Sequence, residues 1–121
     1  MDDYTPWGSV IEGTTAEIKF TIKDQDGNGV QPTTLRLDLY DYKTEKVLNS
    51  RLNVSLTPVS TYVTSGGICT FNLTAADDVF YNSALRQETH VAKFTATWST
   101  GTKVAKHLVP FILRRDSEPT A

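Results

Sequence analysis

Few side chains in this sequence have the types and spacing that chemistry demands. The most conspicuous run is Asp24-Gln-Asp26-Gly-Asn28-Gly29, whose alternating oxygen donors before a glycine match the first half of a calcium loop. The second half departs from that pattern. Leu35 occupies the position of the closing bidentate Glu, and Pro32 stands where another ligand belongs. A turn between strands needs the same residue types for its backbone angles, so the run reads as a turn and no calcium binding is expected.

His90 and His107 are the only histidines. Both fall in the last two alternating stretches, which a turn at Thr100–Gly101 folds into a hairpin. Simple pairing then sets His90 opposite residue 111 and His107 opposite residue 94, several residues apart. Glu88 is close to His90, but two offset imidazoles make an incomplete metal site. The expectation is polar tips at the sheet surface or near its end.

Nucleophilic chemistry has less support. Cys69, the single cysteine, shares a strand face with Phe71 and Leu73 and should be a small core hydrophobe with an unactivated thiol. No serine sits in a nucleophile elbow and no glycine-rich phosphate loop precedes a helix. One cysteine also excludes an internal disulfide framework or a cysteine-rich zinc site. The reading is of a protein that is not an enzyme and takes neither cofactor nor metal.

Composition narrows the class further. The chain has 121 residues, 39% hydrophobic and 21% charged, which fits one globular domain. A formal charge of −2 leaves no basic excess for neutralising phosphates, so nucleic acid is not an expected partner. Residues 1–8, MDDYTPWG, carry acids where a secretion leader carries bases, and no apolar run approaches membrane-spanning length. A membrane is therefore not expected either.

The elements that would position these residues are strands. Ala16, Ile18, Phe20 and Ile22 alternate with polar residues, as do Leu35, Leu37 and Leu39 after the Asp24–Gly29 turn. The economical arrangement makes those two stretches antiparallel neighbours. One or two short strands are expected between Lys46 and Val54. Residues 55–67, rich in Ser, Thr and Gly, read as a long loop or loose edge. A strand resumes over Ile68–Thr74, and Thr74 with Asp77 resembles a capping box opening a helical turn toward Phe80.

Glu88–Ser99 and Lys103–Leu113 form the closing hairpin. The second of these has apolar residues on both faces, as if partly covered on each. Pro110 within it calls for an edge or a bulge. Trp98 reads as the aromatic plug of the core. About seven short strands without a long helix predict an all-β, antiparallel β-sandwich. Its expected extent is 13–113, between an N-terminal arm of residues 1–12 and a flexible tail of residues 114–121.

Residues Gly13 to Asp41 resemble the opening of small immunoglobulin-like proteins of tailed bacteriophages. The likeness lies in the D-x-D-G turn at Asp24, Asp26 and Gly27, followed by Pro32, Thr33 and Thr34. Glu88 to Leu113 is similar to their closing hairpin. The resemblance implies an immunoglobulin-like virion structural or accessory protein, made in the bacterial host cytoplasm. Its partners would be other virion proteins or copies of itself in the capsid, neck or tail. Tyr4, Pro6, Trp7, Tyr62, Arg114 and Arg115 are the candidate interface residues. Trp7 could instead fold back over an open end of the sandwich. The rival reading is an immunoglobulin-like adhesion module for surface carbohydrate or a host protein, with Tyr62 and Tyr81 as its aromatic loop residues.

Overall fold

A computed structural model describes residues 8–115. Alternation becomes strand where it was strongest, in β2 (Ala16–Thr21), β3 (Thr34–Asp41), β5 (Ile68–Leu73), β6 (Gln87–Trp98) and β7 (Lys103–Arg114). Two short strands join them, β1 (Ser9–Ile11) and β4 (Val54–Ser55). One sheet has the order β1-β7-β6-β3-β4 and the other pairs β2 with β5. The two pack face to face as an all-β sandwich. All pairs are antiparallel except β1 with β7, which is parallel. The sheet thus takes in residues of the expected arm at Ser9 and of the expected tail at Arg114.

The expected neighbours β2 and β3 lie in different sheets. The turn itself forms: Asp24 Oδ1 accepts the N–H groups of Asp26 and Asn28, and Gly27 takes a positive φ of 84°. Beyond it the chain crosses over rather than doubling back. Val30 N–H donates to the Ile22 carbonyl, Gln31 Nε2 to the Val63 carbonyl and Thr33 N–H to the Thr97 carbonyl. Pro32, lacking an N–H, has no ladder bond to give at the crossing.

Register places the inward-facing residues in rows across β3, β6 and β7. Leu35, Ala96 and Ala105 form one row; Leu37, Phe94 and His107 the next; then Leu39, Ala92 and Val109. Phe94, rather than Trp98, is the central plug. Its ring meets Phe20 of β2 at 4.9 Å and Phe71 of β5 at 5.8 Å, while Trp98 is only partly buried at the rim. Pro110 is compatible with its strand because β1 pairs only with Ile112–Arg114, so β7 is locally the edge at Pro110.

Residues 46–53 form no strand beyond a bridge at Val47. Asn49, Ser50 and Asn53 all have positive φ, which breaks the extended run that Val47, Leu48 and Leu52 predict. Residues 55–67 are also tighter than a loose loop. Leu56 and Val63 are buried on either side of a helical turn, α1 (Val59–Tyr62). The Thr74–Asp77 motif does form, but it opens only one 3-10 turn over Ala75–Asp77.

Candidate functional site

The candidate interface residues fall into different environments. Tyr4, Pro6 and Trp7 lie outside the described residues. Tyr62 is half-buried, its ring 6.0 Å from Phe71, so it serves the core more than a partner. Arg114 is exposed at the end of β7, where its carbonyl accepts the Glu12 N–H. Arg115 is engaged within the chain. Its guanidinium donates to the Leu85 and Ser83 carbonyls, pairs with Glu12 at 3.1 Å and stacks 4.0 Å over Phe80. Burying a planar cation over a ring with its donors used is a structural clamp, not a free tail charge.

A further candidate contact surface is the outer face of the five-stranded sheet. The outward residues of β7 include Val104, 55% exposed, and Leu108, 40% exposed, while Pro110 is buried and Ile112 half-buried, so that face is covered in part, as its apolar pattern predicted. In the rows beside them stand Asp38 with Lys93 and Arg36 with Thr95 and Lys106. Apolar patches flanked by charges of both signs suit a protein contact more than a nucleic-acid one.

At one end of the inner face the apolar rows stop. Asp41, His90 and Phe111 form the next row, with Glu88 one step further on opposite Leu113. Asp41, Glu88 and His90 are all buried, and one ligand atom from each lies within 4.8 Å of the others. His90 is fully enclosed, against the expectation of a surface tip, with Phe111 edge-on at 5.8 Å. Its Nε2 lies 2.7 Å from Glu88 Oε1. Glu88 also accepts the N–H groups of Tyr81 and Asn82, at 2.8 and 2.6 Å. Asp41 Oδ2 accepts both the N–H and the hydroxyl of Thr44. A cleft of about 530 Å³ opens over this end, lined by Asp41, Tyr42, Thr44, Tyr81, Leu85 and Glu88. The expected pairing of His90 with residue 111 and of His107 with residue 94 is the observed register. His107 lies flat on Phe20 at 4.1 Å, and partial burial there lowers its pKa.

A second polar centre holds the 3-10 turn. The Asp77 carboxylate accepts from Thr74 N–H and Oγ1, from Asn49 Nδ2 and from Arg51 Nε and Nη2. Burial pushes its pKa up, but the Arg51 and Asn49 bonds outweigh that and the net shift is downward. Arg51 is raised in turn, by its bond to Asp77. Neighbouring Asp78 is enclosed with neither carboxylate oxygen hydrogen-bonded among the described residues. Desolvation, with repulsion from Asp77, raises its pKa to about 7. Burial likewise raises the Cys69 thiol to about 11, the reverse of what a nucleophile needs.

Parity in the sequence already put Asp41 in phase with Leu35, Leu37 and Leu39, and Glu88 and His90 in phase with Ala92, Phe94 and Ala96. Parity alone does not bring these ionisable groups together, because joining the two strands needs the β3–β6 register. No protein-family model matches the chain, and no curated protein sequence matches it.

Proposed function

We propose that the chain is a non-enzymatic structural or accessory subunit of a tailed-bacteriophage virion. On this reading it is an immunoglobulin-like module that binds neighbouring subunits in the capsid, neck or tail. The observation that carries this reading is the outer face of the larger sheet, where Val104 and Leu108 stand exposed beside charges of both signs. The resemblance of residues 13–41 and 88–113 to small phage proteins gives that surface its context. Tyr4, Pro6 and Trp7 precede Gly8, whose carbonyl accepts the Ile112 N–H of β7, so the arm joins the domain beside the same strand. Interfaces of this kind draw most of their energy from a few aromatic and arginine anchors. The test compares Trp7→Ala and Leu108→Glu with the parent. Both variants should keep the parent's melting temperature within a few degrees and enter particles poorly. Normal incorporation of both would sink the proposal.

One observation favours the second reading, an adhesion module for carbohydrate. Tyr81 and Tyr42 stand with Asn82 around the cleft at one end of the sandwich, the aromatic and polar clustering that sugar binding uses. Glycan-array binding by the isolated chain, lost in Tyr81→Ala, would move the assignment there.

A further inference from the structure

We propose that Asp41, Glu88 and His90 form a site for a divalent transition-metal ion of the zinc class, reached through the cleft above them. The residue types fit such an ion. Imidazole and carboxylate ligands suit zinc, and three protein donors leave a position for water from the cleft. Their origin is rigid, since Asp41 and His90 are a cross-strand pair and Glu88 lies two residues before His90 on the same face.

Three observations point to a ligand rather than to a self-contained polar plug. First, the charge does not balance. Two buried carboxylates face at most one positive charge, on His90, and neither forms an ion pair with a lysine or arginine among the described residues. Lys43 lines the cleft but not that pairing. A divalent cation would neutralise both carboxylates where burial makes uncompensated charge costly. Second, the fully enclosed His90 ring is only half satisfied. Glu88 holds Nε2, while Nδ1 is sealed from solvent without a hydrogen-bond partner among the described residues. Third, the carboxylates are oriented from outside the cluster. The amides of Tyr81 and Asn82 fix Glu88, and Thr44 fixes Asp41, the kind of support metal ligands receive.

The geometry allows closure. Ligands at about 2.0–2.2 Å from zinc stand roughly 3.3 Å apart. Here one ligand atom from each residue lies within 4.8 Å of the others, so the three donors need draw together by only about 1–1.5 Å to close on an ion.

The test titrates zinc into the metal-free full chain, with magnesium as the control. It follows heat of binding, melting temperature and the imidazole ¹⁵N resonances of His90. One equivalent of zinc should bind at micromolar concentration or tighter, raise the melting temperature by several degrees and shift a His90 ring nitrogen. His90→Gln should abolish binding, Asp41→Asn should weaken it about tenfold or more, and His107→Gln should leave it intact. Unmoved His90 nitrogens in the parent at saturating zinc would overturn the site whether or not the variants fold. So would zinc binding that survives His90→Gln and disappears in His107→Gln.

Discussion

Single residues in this domain reveal their roles through what they lack. Asp78 has no hydrogen bond to its carboxylate among the described residues, and its pKa stands at about 7 against an ordinary 3.8. A folded-state pKa above the unfolded value means that folding favours the protonated form. Its stabilisation is complete below about pH 3.8 and is lost as pH rises through 7. Asp78→Asn removes that titration while keeping the shape. The variant should therefore match the parent near pH 4 and exceed it at pH 8 by up to about 4 kcal/mol, about 1.4 kcal/mol for each unit of the shift. Urea melts of both proteins across that range check it, and parallel pH profiles would show that Asp78 is already solvated. Cys69 offers a simpler check. Fully enclosed and held as the thiol, it should react with a thiol reagent only at the rate of unfolding.

The strands with clean alternation were legible because one buried face imposes a period of two, and β2, β3, β5, β6 and β7 all stand where it was strongest. What was not legible depended on partners distant in sequence. Two strands separated by a turn do not declare whether they pair or face each other. Here a close approach of backbone to backbone decides it. A Cβ on Gly29 would lie 1.9 Å from the Gly66 carbonyl oxygen. One on Gly67, at φ +87°, would lie 2.5 Å from Val30 N and 2.6 Å from the Ile22 carbonyl oxygen. Gly67→Ala should cost more than about 2 kcal/mol, since the left-handed backbone and the clash with main chain add. Thermal denaturation measures this, and a cost under half that figure would mean the crossover is loosely held.

The segment 46–53 was misread for a related reason. Lys46, Leu48 and Arg51 bond β3 through the backbone, but the Asn49 and Arg51 side chains turn to Asp77, and the segment follows the strand irregularly. Asp77→Ala leaves Arg51 unpaired beside Phe71 and should destabilise by about 3 kcal/mol, with Asp77→Asn costing less. Equal losses for the two would point to the helical turn rather than the ion pair.

At the scale of the whole molecule, the sandwich encloses its core but leaves part of one sheet face exposed around Val104 and Leu108, while Val91 and Pro110 on the same face are buried. The proposed role in assembly rests on the resemblance and on this face, and Arg115, used internally, shifts the proposed contact away from the tail and onto the sheet. The apolar pattern on both faces of β7 was visible in the sequence. Whether another part of the same chain covered the second face was not, because coverage is a property of packing. For the phage subunit proposed above, cryo-electron microscopy of purified particles tests the assembly role most directly. The account predicts sandwich density at a repeated position in capsid, neck or tail, with the Val104–Leu108 face of β7 against a neighbouring subunit. Particles that lack the chain altogether, while the isolated protein stays monomeric, would contradict it.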